Sequence, residues 1–191
     1  MRQRFVRNNV IIARHKLEKR WQDSQAIDDF TKGPFDVWIE RIDPCDEDDK
    51  RVQLKCSHYN PNKKFEPQVW NGFVNLTRAL DDTWWIRAPF SIRSNNQWKQ
   101  NAIVLTAQRN GCSGARNVLP PDLRRFTTKR GTPCSFKEGV SYFRNTSVKF
   151  EFPKFPQLPY GHYRVELEAG QQDEKKAEYC FKTIGHVIPK V

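Results

Sequence analysis

The residues best suited to chemistry in this chain are five cysteines, at 45, 56, 112, 134 and 180, and four histidines, at 15, 58, 162 and 186. No two cysteines form the CxxC pair that metal clusters and redox centres use. Cys56 with His58 is the only tight Cys/His grouping. A zinc site there needs two further ligands from distant chain, so a buried thiol beside a strand histidine accounts for the pair better. The histidines otherwise sit apart along the sequence. In the run GCSGA, Cys112 lacks the aromatic context of a cysteine nucleophile and suits a disulfide turn. The acidic run Asp46 to Asp49 lacks EF-hand spacing, and no GxSxG elbow occurs. With no nucleophile and no partnered acid and base, the expectation is a non-enzymatic protein with no catalytic residue, cofactor or metal.

Cysteines in widely separated segments fit long-range disulfides formed in an oxidising compartment, and the odd count leaves one thiol unpaired. Two sequons, Asn75-Leu76-Thr77 and Asn145-Thr146-Ser147, offer Asn75 and Asn145 as glycosylation sites and point the same way. The opening MRQRFVRNNVIIARHKLEKRW carries charge without the hydrophobic centre of a signal peptide. An extracellular protein whose natural start lies elsewhere is therefore expected.

Charge and composition exclude other classes. The net charge of +11 is uneven: residues 1 to 20 hold seven Lys/Arg against one Glu, and the rest of the chain mixes both signs. No zinc-finger, RNA-recognition or helix-turn-helix pattern accompanies it, so a nucleic-acid partner is not expected. Six Trp and thirteen Phe in 191 residues are too many aromatics for a disordered chain, and the length suits one domain with a real core. No apolar run approaches the length of a membrane helix.

The elements that must position these residues are strands. Residues 1–32 read as a basic leader, partly ordered or helical, and after Gly33-Pro34 the texture changes to alternation. Phe35, Val37 and Ile39 share one face, with Asp36, Trp38 and Glu40 on the other. Val52, Leu54 and Cys56 follow, then Trp70, Val74 and Leu76, with Asn75 on the opposite side facing solvent. In TWWIRAPFSIR, Trp84, Ile86, Ala88, Phe90 and Ile92 alternate with Trp85, Arg87, Ser91 and Arg93, and Pro89 predicts a bend or an edge position. WKQNAIVLTAQRNGC reads as a strand or short helix. Next comes a cysteine-bracketed loop, with one helical turn starting at its prolines. Farther on, Val148, Phe150 and Phe152 alternate with Lys149 and Glu151, and Tyr163, Val165 and Leu167 with Arg164, Glu166 and Glu168. Prolines 153, 156 and 159 lack amide donors and predict an extended link between two strands. Such a chain is an all-β, antiparallel β-sandwich over residues 33–191.

At CSFKEGVSYFRNTSVKFEFPKFPQLPYGHYRVELEAG and AEYCFKTIGHV the sequence resembles the ganglioside activator proteins of the ML lipid-recognition group. The residues that carry this are Cys134 followed by Phe136-Lys137-Glu138-Gly139, an alternating strand, the Pro-containing link, Gly161-x-Tyr163-Arg164 and Cys180; Cys45-Asp46-Glu47 looks like the family's first cysteine. The likeness spans about residues 35 to 188 and is specific in the last sixty. Cysteine spacing is most similar to the insect CheB chemosensory relatives, small secreted proteins linked with contact-pheromone detection.

The resemblance implies a β-cup whose interior is kept open as an apolar cavity for acyl chains, without catalytic machinery. It pairs Cys45 with Cys180 and Cys112 with Cys134 as disulfides and gives Cys56 no counterpart. Val74, Leu76, Trp84, Ile86, Phe90, Phe136, Tyr163, Val165 and Leu167 would face the ligand, a lipid or small apolar molecule. Arg87, Arg93, Arg124, Arg125, Lys129 and Arg130 would form a basic rim suited to anionic headgroups and to a membrane-surface or receptor contact. The loop between Cys112 and Cys134 is shorter and more basic than the activator's, and the leader has no match. The alternative is a solid-core β-sandwich that binds a protein or polyanion through its basic surface.

Overall fold

A computed structural model describes residues 32–63, 66–129, 131–150 and 157–190. The leader up to residue 31, Pro153, Pro156 and Arg130 lie outside the described residues. In chain order the strands are β1 (Lys32–Gly33), β2 (Phe35–Pro44), β3 (Val52–Cys56), β4 (Gln68–Leu76), β5 (Leu80–Asp81), β6 (Trp84–Ser94) and β7 (Gln97–Ala107), and then β8 (Ser135–Phe136), β9 (Gly139–Val148), β10 (Leu158–Pro159), β11 (Gly161–Gln171) and β12 (Tyr179–Pro189). One helix, α1 (Gly111–Val118), and a 3-10 turn over Pro121–Phe126 lie between β7 and β8. None of the described helices is long and apolar enough to cross a membrane.

The strands make an all-β, antiparallel, sandwich-like fold. One sheet has five strands in the order β2-β12-β11-β6-β7, the other three in the order β3-β4-β9. β11 is the centre of the larger sheet. Each long strand alternates because one face is covered and the other meets solvent. A buried glutamine joins the two sheets at one edge: Gln68 on β4 accepts from the Ile39 amide at 2.6 Å and donates to the Ile39 carbonyl at 2.7 Å and the Ser57 carbonyl at 2.9 Å. Around that seam Ile39, Ile42, Val52, Trp70, Phe143 and Val148 form the largest apolar cluster.

Two disulfides, Cys45–Cys180 and Cys112–Cys134, fasten the fold and mark an oxidising folding environment. The first ties the end of β2 to the start of β12. The second fixes α1 beneath β8, which pairs with β5 through Leu80↔Phe136. Cys56 is the free thiol.

Three expectations need correction. Of the bend or edge position expected for Pro89, the edge is excluded, since β6 pairs with both β11 and β7. Pro89 has no N–H, and the β6–β11 ladder skips from Val165↔Phe90 to Glu168↔Arg87 around it, with a register shift toward β7 between Phe90 and Ile92. The segment after Cys112 is helical rather than loop because Asp82, from the β5–β6 turn, takes the Ser113 amide and hydroxyl, each at 2.7 Å, at the helix start. The prolines that follow open the expected turn, Pro121–Phe126. Of the proline link, Pro159 pairs with Lys32, so strand pairing begins within the last residue assigned to the leader. The histidines, third, are not all separate, as the outer face shows below.

Candidate functional site

The inner face of the five-stranded sheet is set by β11. Tyr163, Val165, Leu167 and Ala169 project to one side, and Ile92, Phe90 and Ile86 on β6 stand opposite Tyr163, Val165 and Ala169. On β12, Phe181, Thr183 and Gly185 stand opposite Leu167, Val165 and Tyr163.

This face is filled at its two ends. At one end Tyr163 is 5% exposed and packs with Ile92 and Val187. Its hydroxyl donates to the Pro159 carbonyl at 2.9 Å, and burial pushes the phenol far above its usual range, so it is a neutral anchor. At the other end Trp84, Tyr179, Ala169 and Leu80 pack on the Cys112–Cys134 bridge. Tyr179 stacks on Trp84 at 5.5 Å, and its hydroxyl accepts the Thr77 amide at 2.8 Å.

Between these ends the packing thins, although Ala88 on β6 is buried and Phe90 and Phe181 pack against neighbouring clusters. Val165 and Leu167 sit on the central strand of the covered face, where full burial is the rule, yet both are only half-buried. Neither belongs to any of the three apolar clusters formed by the described residues. Their partners Phe90, Phe181 and Thr183 are half-buried too. The β6–β11 ladder is interrupted at Glu166 and Leu167, across from Pro89 and Ala88.

The nine residues expected to face a ligand therefore divide. Trp84, with Leu76, Ile86 and Phe136 against it, walls one end; Tyr163 and Phe90 wall the other; Val74 packs into the seam cluster. Only Val165 and Leu167 are left open between them. Phe181 and Thr183 were missed as neighbours, although the alternation Tyr179, Phe181, Thr183 in YCFKT carries the signal.

Two clefts open elsewhere on the described surface, and none of the nine residues lines either. The larger, about 660 Å³, runs along Cys45–Cys180 between the charged side chains of Asp46, Asp49, Arg51, Glu174 and Glu178. Here the acidic run has internal partners. Asp49 clasps the Arg51 guanidinium at 2.7 and 2.9 Å, which holds its carboxyl below the usual range, and Asp46 accepts the Asp48 amide. The smaller, about 50 Å³, lies between Trp38, Tyr59 and Val148.

Among the described residues, the expected basic rim is split between β6 and the segment after α1. Arg87 and Arg93 alternate onto the outer face of β6, where Arg87 pairs with Glu168 at 3.3 Å. Arg124 and Arg125 belong to the 3-10 turn and donate to the Leu119 carbonyl and the Thr146 hydroxyl. Asn145 is exposed on β9 with φ 46°, while Asn75 is half-buried on β4. The half-buried Cys56 thiol lies 3.7 Å from the Glu40 carbonyl, and burial pushes it up, away from the reactive thiolate.

On that same outer face His162 and His186 stack on each other at 4.1 Å and share the Glu40 carboxylate. Residues far apart in sequence meet because β11 and β12 pair. Compared with models of known protein families and with curated proteins, the chain matches none at a significant level.

Proposed function

We propose that this chain is a non-enzymatic extracellular lipid-binding protein, a β-cup of the ganglioside activator kind that carries or presents a lipid or apolar semiochemical. The observation that carries the reading is the middle of the inner face: Val165 and Leu167, on the central strand, are half-buried and outside every described apolar cluster. An acyl chain laid along them would complete the burial. At roughly 0.8 kcal/mol per CH₂, a tail of about eight carbons supplies about 6 kcal/mol before the cost of association. Thr183, opposite Val165, offers a hydroxyl to a polar group on that ligand.

Secretion fits the two disulfides. Contact with a membrane surface or receptor fits Val140 and Tyr142, large apolar side chains that are 46% and 56% exposed on the edge strand β9.

Leu167→Trp tests this reading by placing a ring where the ligand would lie. In a cup, the variant loses affinity for a fluorescent fatty acid by about tenfold or more, about 1.4 kcal/mol, while its unfolding midpoint barely moves. In a solid-core sandwich, the wild type takes up no probe and the added bulk destabilises the fold by about 1–3 kcal/mol.

A further inference from the structure

The outer face of the five-stranded sheet carries a row of rings that the lipid reading leaves unused. Trp38 on β2 stands opposite His186 on β12, which stands opposite His162 on β11. Tyr59 stacks on Trp38 at 5.0 Å, Trp38 on His186 at 4.2 Å and His186 on His162 at 4.1 Å, all within 11° of parallel. Trp98 on β7 closes the row against His162 at 5.1 Å.

Glu40 reaches this row through a β-bulge. The β2–β12 register steps from Ile39↔Gly185 to Arg41↔Ile184, so Glu40 is the extra residue on β2. A bulge turns its side chain out of the regular alternation. Its Oε2 lies 3.1 Å from His162 Nε2 and 3.4 Å from His186 Nε2.

We propose that Glu40, His162 and His186 form a binding site for one borderline divalent ion, best matched by Zn²⁺, with an open coordination position. Imidazole and carboxylate are the donors such ions take, and Zn–N and Zn–O bonds of about 2.0–2.1 Å around a tetrahedral ion separate neighbouring donors by about 3.3 Å. Both carboxylate-to-imidazole distances meet that edge, and all three donor atoms lie within 4.8 Å of one another. In the stack the two rings lie within 10° of parallel and their lone pairs run side by side, so binding requires one ring to turn out of the stack toward the ion. Coordination needs neutral imidazole. Glu40 is solvent-exposed, which leaves the fourth position to water or a small anion. Arg93 on β6 is the opposing charge: its guanidinium acts on His162 and weakens the site for a cation. A bound ion would pin β2, β12 and β11 together on the face away from the inner site.

Titration of the full chain with Zn²⁺ alone, after chelator treatment and at pH 7.5, tests this. One ion per chain at micromolar affinity is expected, with a rise of several degrees in thermal midpoint. Co²⁺ alone should give the intense visible bands of a four-coordinate site. Glu40→Gln and His162→Gln should each weaken Zn²⁺ by about tenfold or more, and Arg93→Gln should strengthen it. His58→Gln should leave it unchanged. Millimolar or substoichiometric binding by the wild type, which needs no variant to fold, overturns the proposal. Binding that survives in folded Glu40→Gln and His162→Gln overturns it equally, and leaves a hydrogen-bonded triad only.

Discussion

The side-chain amide of Gln68 holds the backbone of Ile39 from both sides, accepting its N–H and donating to its carbonyl. This is the seam between the two sheets at the β2 edge, where side chains, chiefly Gln68 with the Cys56 thiol beside it, stand in place of a strand ladder, and Gln68 is only 8% exposed.

Gln68→Ala should therefore be among the most damaging single changes. It strands a buried N–H and a buried carbonyl, each costing about 1–3 kcal/mol, so chemical denaturation should show a loss of about 3 kcal/mol or more. Gln68→Glu keeps the acceptor and loses both donated bonds. It also sets a buried carboxylate against two carbonyl oxygens and should be at least as damaging as alanine.

The two disulfides close loops of different length, with sequence separations of 135 and 22 residues. Chain entropy assigns about 5 kcal/mol to Cys45–Cys180 and about 3.4 kcal/mol to Cys112–Cys134. Paired Cys→Ser variants should unfold in that order in urea, the Cys45/Cys180 variant first. Cys56→Ser should cost less than losing either bridge, because its half-buried thiol makes one long polar contact, to Glu40, and packs at the margin of the seam cluster.

His162 gives the fold a pH dependence whose sign can be stated. Burial first, then His186, lowers its pKa below the ordinary value of 6.5, against the pull of Glu40; Arg93 adds to the lowering. The unfolded chain then binds more protons just below 6.5, so this stability is present above that pH and is lost as pH falls through the lower folded value. In chelator-containing buffer the thermal midpoint should drop between about pH 7 and pH 5, and His162→Gln should flatten that part of the curve.

Much of this architecture is legible in the sequence because it follows from local alternation. Tyr163, Val165 and Leu167 on one face of β11, and Trp84, Ile86 and Phe90 on one face of β6, need only a period of two. What depends on register is not legible. His162, His186 and Glu40 meet only once β2, β12 and β11 are aligned and a bulge is placed at Glu40, and no residue spacing encodes that. Helix α1 is hidden for a similar reason, since its first turn is capped by Asp82 from another part of the chain. Pro89 misleads because a proline inside a sheet usually marks an edge, whereas here the gap it makes lies beside the open middle of the inner face.

The central claim is that Val165 and Leu167 line space for an apolar guest. Native mass spectrometry of the full chain, expressed through a secretory route and mildly extracted, tests it most directly. The account predicts a bound lipid or fatty acid that leaves on activation and is missing from Leu167→Trp. A wild-type protein that is consistently empty, and stays empty after incubation with fatty acid, contradicts it.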